Sequence, residues 1–204
     1  LGPDRSIEYL KKVGIDRENE KYVSLAMGGL EKGVSPLQMA AAYVPFVNKG
    51  LYYEPVTYTK VLDSDGKVLL EKKPKYNAAY SETTAFLMAD MLQEVAKPKN
   101  SPYPHSGTAY PRVLIQKGKM PVGGKTGTTS DNIDKWFVGF TPYYVAATWY
   151  GYDNKVKPIK LTNAEYSQAQ IIWQAVMEKI HENKEPKSFT PPPGIVKKQI
   201  CIYS

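Results

Sequence analysis

Apolar positions recur at helical spacing in four stretches of the chain and alternate with polar ones in most of the rest. Ile7, Leu10 and Val13, three apart in PDRSIEYLKKVG, predict a short helix that Gly14 closes. A second helix is expected after Ser35, a capping residue, with Pro36 in its first turn. Its apolar stripe is Leu37, Ala40, Ala41 and Val44. Pro45 falls late in that stripe and predicts a kink or an early end, and Gly50 suits a left-handed terminator. Between these helices the Gly28-Gly29 pair reads as a turn. A third helix is expected from about Ser81 to Ala96, with Phe86, Leu87 and Met91 on one side. The fourth is long and amphipathic, about Asn163 to His181, presenting Ile171, Ile172, Ala175, Val176 and Ile180 to a core.

The alternating stretches read as strands. VTYTKVLDSDGKVLLEK predicts a hairpin, because two β-rich runs flank Ser64-Asp65-Gly66 and an Asp-Gly pair suits a turn needing positive φ. PVGGKTGTT, KWFVGF and YYVAATWYGYD predict three successive strands with short turns. Within them Trp136, Phe137 and Phe140 are expected to pack in the core. Tyr143, Tyr144, Tyr150 and Tyr152 are read as strand residues rather than a sugar-stacking platform. Residues 97–121, with five prolines, predict a surface loop carrying one short helical piece. Residues 186–204 are a proline-rich C-terminal tail with a possible terminal strand. Helices first, then an antiparallel sheet with a covering helix, make the expected fold class α+β.

Composition changes this picture little. With 42% hydrophobic and 23% charged residues in 204, the chain has what one folded domain needs. No run approaches the roughly 18 to 20 apolar residues of a spanning helix. The opening LGPDRSIEYL carries charge and proline, not a signal peptide, and begins on Leu, as a processed or excised piece would. The formal charge of +7 comes mostly from scattered lysines, which reads as a solvated surface or attraction to an anionic one. No basic stripe interleaved with aromatics points to nucleic acid. Cys201 is the only cysteine, so no disulfide can form within the chain.

Candidate chemistry concentrates in GGKTGTTSDN, residues 123–132. A phosphate-binding loop would need glycine at position 119, which is Lys119; Gly118 misses by one. His105 and His181 lack a second ligand at metal spacing, which leaves surface or capping roles for both. Acyl transfer fits better. On an edge strand, alternation would send Lys125 and Gly127 to one face and Thr126 and Thr128 to the other. A glycine there lets an acyl group approach the backbone, and hydroxyls with an ammonium can receive a carboxylate.

The wider segment GGKTGTTSDNIDKWFVGFTPYYVAATWYGYDN resembles the C-terminal block of class A penicillin-binding proteins, the bifunctional peptidoglycan synthases. YVSLAMGGLEKGVSPLQMAAAYVPFVNKG and KVLDSDGKVLLEK resemble that family's preceding helical segment and hairpin, and the similarity spans about residues 5–183 in the same order. The resemblance implies a penicillin-binding-protein/β-lactamase-like fold, with residues 1–185 as the later part of a transpeptidase domain. It implies peptidoglycan stem peptides and β-lactam antibiotics as ligands, no metal or organic cofactor, and a place on the extracytoplasmic face of the bacterial membrane. It implies further that Lys125 joins the polar network around a nucleophilic serine, that Thr126, Gly127 and Thr128 line the substrate strand, and that the Thr128 N–H is an oxyanion donor.

The departures matter. The only Ser-x-x-Lys is Ser64 to Lys67, in the predicted hairpin turn, whereas the nucleophile of this family should open a helix. Ser130-Asp131-Asn132 matches a Ser-x-Asn motif but follows Lys125 directly, so it reads as a strand-joining turn. No nucleophile is therefore expected in this chain, and an upstream part of the same domain would supply Ser-x-x-Lys and Ser-x-Asn. A carboxypeptidase or β-lactamase relative, and a non-catalytic wall-binding or scaffolding module, stay open as alternatives.

Overall fold

The computed structural model describes residues 2–99, 105–153, 159–162, 165 and 167–199. Helix α1 covers Pro3–Lys12 and buries Ile7, and Val13 beyond it is buried as well. A 3₁₀ turn at Val23–Met27 ends on left-handed Gly28. Helix α2, Pro36–Val47, opens with a reciprocal cap: Ser35 Oγ accepts from the Gln38 amide at 3.2 Å and Gln38 Oε1 accepts from the Ser35 amide at 3.0 Å. It runs only two residues past Pro45. Strand β1 is Leu51–Tyr53, the hairpin is β2 (Lys60–Leu62) with β3 (Val68–Glu71), and β4 (Tyr76–Ala78) returns to pair with β1. That β1–β4 pair is absent from the sequence reading because each strand has only three residues. Helix α3, Glu82–Leu92, is capped by Ser81 and continues as a 3₁₀ turn to Ala96.

The main sheet follows. Strands β5 (Gly123–Thr128), β6 (Asp134–Phe140) and β7 (Val145–Gly151) pair antiparallel in the order β5-β6-β7. Helix α4, Gln168–His181, covers one face. The α+β class stands, with the antiparallel sheet packed against helices.

Register defines the two faces. Thr126 lies opposite Phe137, Gly124 opposite Gly139 and Thr128 opposite Lys135, so these six share the face under α4. There the Trp173 ring meets Phe137 edge-on at 5.0 Å, and its Nε1 donates to the Ala146 carbonyl at 3.1 Å. Gly139 makes the seat: a Cβ on it would lie 2.7 Å from the Trp173 ring. Val95, Ala109, Val113, Ile115, Met120, Phe137 and Met177 complete this core. A second cluster of Val13, Ile15, Ala41, Ala42, Tyr52 and Ala79 joins α1, α2 and β1.

Several expectations are corrected. On α4 the buried residues are Ala169, Gln170, Trp173, Met177 and His181, whereas Ile171, Ile172, Ala175, Val176 and Ile180 face outward. Both stripes are apolar, and the sheet takes the one carrying Trp173, whose large ring buries the most area. On α2 the buried residues are Ala41, Ala42 and Pro45, with Leu37 exposed, because small residues let the helix approach its neighbours closely. On α3, Ala85 and Ala89 are buried while Leu87 and Met91 are exposed. The expected surface loop at 97–121 does carry a short 3₁₀ turn, at Gln116–Gly118. Yet Ala109, Val113, Ile115 and Met120 in it are core residues. Pro98, Pro111 and Pro121 break regular structure there without keeping the segment at the surface. Residues 100–104 of it lie outside the described residues.

His105 is exposed, as expected, but His181 is fully buried. The Met177 carbonyl, 2.6 Å from Nδ1, can only accept, so Nδ1 carries the hydrogen. Thr141 Oγ1 accepts from the Tyr143 and Tyr144 amides and gives its own hydrogen to His181 Nε2 at 2.8 Å. Part of the proline-rich tail lies against the sheet, where Phe189 meets buried Phe140 edge-on at 5.7 Å. No strand occurs in the tail among the described residues, and 200–204, with Cys201, lie outside them.

Candidate active-site strand

β5 is an outer strand: β6 occupies one of its edges, and no strand occupies the other among the described residues. Burial grades along it, from Gly123 and Gly124 inside to Lys125 and Thr128 exposed. The two glycines sink the start of the strand into the core, so its second half emerges at the surface on a fixed base.

Alternation holds as expected. Lys125 and Gly127 share the face of Trp136 and Val138, and Thr126 and Thr128 share the α4 face with Lys135 and Phe137. Lys125 is exposed, and its Nζ donates to the Thr126 carbonyl at 3.0 Å. The Thr126 hydroxyl pairs with the Thr108 hydroxyl at 3.1 Å. A Cβ on Gly127 would lie 2.9 Å from Trp136 Cβ, so a side chain at 127 would push β5 off β6. A small hollow of about 50 Å³ lies at this end, lined by Thr108, Thr126, Thr128, Lys135 and Gln170. Hydroxyls, an amide and an ammonium around one hollow make a donor-rich surface suited to an anionic or carbonyl group. Burial pushes the Lys135 ammonium below its ordinary value, and its Nζ donates to Asn132 Oδ1 at 2.8 Å.

Ser130, Asp131 and Asn132 form the connection from β5 to β6. Asp131 and Asn132 both sit in the left-handed region, at φ 62° and 57°, a conformation these short polar side chains tolerate. Residues 160–162 brace the turn: Lys160 pairs with Asp131 at 2.7 Å and the Leu161 amide donates to the Asn132 carbonyl at 2.8 Å. Glu165 anchors that brace. Hydrogen bonds from the Thr162 amide, the Thr162 hydroxyl and the Tyr150 and Tyr152 hydroxyls hold its carboxyl below the ordinary carboxylate range. The same bond pushes the Tyr150 phenol up. Ser64 and Lys67 lie elsewhere, in the exposed β2–β3 turn.

The model of the penicillin-binding protein transpeptidase domain matches residues 1–178. The chain belongs to this family. Curated relatives include penicillin-binding protein 1A of Clostridium botulinum, 40% identical over 200 residues, and that of Aquifex aeolicus, 35% identical over 193. These alignments cover 96% and 95% of the chain but only 22% and 24% of the relatives, so the chain spans about a quarter of their length or less. Among solved structures, penicillin-binding protein 1A of Haemophilus influenzae superposes with a TM-score of 0.82 at 26% identity, over 98% of this chain and 34% of that one. The PonA1 protein of Mycobacterium tuberculosis, solved in complex with penicillin V, shares the fold at a TM-score of 0.63 and 23% identity, over 78% of this chain and 42% of that one.

Sequence reasoning missed two neighbours of this transpeptidase-family strand. Thr108 lies in the segment read as a surface loop, and nothing local signals its approach to Thr126. Lys135 had a signal: it precedes Phe137 by two in a strand, and that spacing puts both on one face.

Proposed function

We propose that this chain forms the strand-lined wall of a D,D-transpeptidase active site that cross-links peptidoglycan stem peptides by serine acyl transfer and is acylated by β-lactams. The observation that carries the reading is the outer position of β5, with Lys125 to Thr128 emerging beside an edge that no described strand fills. In this scheme a serine outside the chain gives its proton to a neighbouring lysine while its oxygen attacks the penultimate D-alanine carbonyl. The tetrahedral intermediate collapses, the C–N bond breaks, and D-alanine leaves with a proton on its amine. An amine of a neighbouring stem then attacks the acyl-enzyme ester, and the serine oxygen recovers a proton.

Lys125 joins the polar network around that serine. Thr126 and Thr128 dock the peptide, or the carboxylate of a β-lactam, along the strand beside Gly127. The Thr128 N–H and the N–H of the serine stabilise the oxyanion. The serine, its lysine and the Ser-x-Asn motif come from an upstream part of the same domain, and the isolated chain is inactive. Two surfaces among the described residues support such a companion. β7 is the other outer strand of the sheet, and Ile171, Ile172, Val176 and Ile180 stand 43–54% exposed on the outer face of α4. Among the described residues no helix is long and apolar enough to cross a membrane. We place the site on the extracytoplasmic face of the bacterial membrane, with the anchor outside this chain.

A fluorescent penicillin tests the reading. It should leave this chain unlabelled, alone or mixed with the upstream part, and label the upstream part in the mixture. Label on Ser64 or Ser130 would overturn it. The Ser-x-x-Lys confined to a hairpin turn favours a second reading, a non-catalytic wall-binding module, which an unlabelled mixture would support. Release of free acid without cross-linking would indicate water as acceptor, as in a carboxypeptidase or β-lactamase.

A further inference from the structure

Asp134, the first residue of β6, ties three strands together through one carboxylate. Its Oδ1 accepts from Trp149 Nε1 on β7 at 2.8 Å, and its Oδ2 accepts from the Thr129 hydroxyl at 3.1 Å. The bond to Thr129 is reciprocal, because Thr129 Oγ1 accepts from the Asp134 amide at 2.9 Å, and the Thr129 amide donates to the Asp134 carbonyl at 3.2 Å. Thr129 directly follows Thr128, where β5 ends. The partner of Asp134 across the sheet is Gly151, where a Cβ would come within 3.3 Å of Oδ1 and 2.9 Å of the Trp149 ring. The glycine leaves room for the carboxylate and the indole to meet.

An outer strand is held along one edge only, so its end frays unless something else fixes it. Beyond Thr129 the chain passes through two successive left-handed residues, which give the strand no regular support. The Asp134 carboxylate supplies it from β7, two strands away. Trp149 also lies in register with Trp136, and Trp136 with Gly127, so a row Gly127–Trp136–Trp149 crosses the sheet on the Lys125 face. Asp134 holds the far end of that row and the exit of β5 at once.

We propose that Asp134 is a positioning residue, which aims the Thr128 N–H by clamping Thr129 and Trp149 without touching substrate. The inference rests on the transpeptidase reading and extends it to a residue outside the strand. The test uses this chain together with its upstream part and follows acylation by a chromogenic β-lactam over a range of concentrations. Asp134→Ala and Thr129→Val should lower the limiting acylation rate by about 10- to 100-fold, the scale of a displaced catalytic group. The dissociation constant of the preceding complex should stay within about threefold, and Thr129→Ser should restore the rate. Trp149→Phe, which keeps the ring and removes the N–H, should give a smaller loss of the same kind.

In parallel, exchange of the residue-129 amide, which donates to the Asp134 carbonyl, should quicken in Asp134→Ala and Thr129→Val and recover in Thr129→Ser. If acylation fails even with the native sequence while the residue-129 amide responds, the transpeptidase reading falls and the clamp survives. A native limiting rate in both clamp variants, or an unchanged residue-129 amide, would overturn the clamp. Should Asp134→Ala not fold, the Thr129 pair decides alone.

Discussion

Two hairpins in this chain use nearly the same letters and are built in opposite ways. β2–β3 turns through Ser64-Asp65-Gly66-Lys67, and β5–β6 turns through Ser130-Asp131-Asn132. In the first, Asp63 Oδ1 accepts from the Asp65 and Lys67 amides at 3.0 and 2.9 Å, and all hydrogen bonds described for the hairpin close on itself. All of β3 is exposed, including Val68, Leu69 and Leu70. In the second, side chains reach outward: Asp134 to Trp149, Lys160 to Asp131, and Phe137 to Trp173 on α4. A turn motif states how a chain reverses. What it can do depends on what the reversal is braced against, and only β5–β6 presents its residues on a fixed base.

That contrast can be broken at several points. Trp173→Ala removes the floor of β5–β6 and should cost about 3–5 kcal/mol, read as a lowered urea midpoint. Gly139→Ala fills the Trp173 seat and should cost about 1–3 kcal/mol in the same measurement. A gentler change is Glu165→Gln, which weakens the brace in a pH-dependent way. The Glu165 carboxyl is held below its ordinary value, so its contribution is present above about pH 4.3 and fades as pH falls through the lower folded value. Stability followed downward from pH 6 should therefore fall more steeply in the native protein than in Glu165→Gln. At the other hairpin, Leu69→Lys should stay within about 0.5 kcal/mol of the native stability, and Ser64→Ala should leave penicillin labelling of the assembled domain unchanged.

Where the sequence was legible, the cause was local. Asp65-Gly66, the Ser35 and Ser81 caps and the period-two pattern of residues 123–151 act over a few residues, and the structure follows each of them. The strand carrying Lys125 to Thr128 was legible too, and its residues alternate between the two faces as the period of two requires. What failed was long-range selection between equal options. α4 carries two apolar stripes, and Gly139, far off in the sequence on β6, leaves the seat that the Trp173 ring of one stripe fills. His181 looked like a surface or capping residue because Thr141, 40 residues away, is silent in the sequence about its partner. Separations of 18 and 15 residues likewise hide Thr108 from Thr126 and Trp149 from Asp134.

The outer stripe of α4 has a consequence for how the chain behaves in bulk. From Ile171 to Ile180 it runs about 14 Å along the helix at 1.5 Å per residue, with Lys179 inside it in the last turn and Glu178 at its margin. Molecules carrying a formal charge of +7 repel one another at low ionic strength, which keeps such stripes apart. At about 1 M salt the screening length shrinks to roughly 3 Å, and that repulsion no longer opposes stripe-to-stripe adhesion. Colloidal solubility of the free chain is thus a balance between scattered lysines and four aliphatic side chains, and salt tips it toward precipitation.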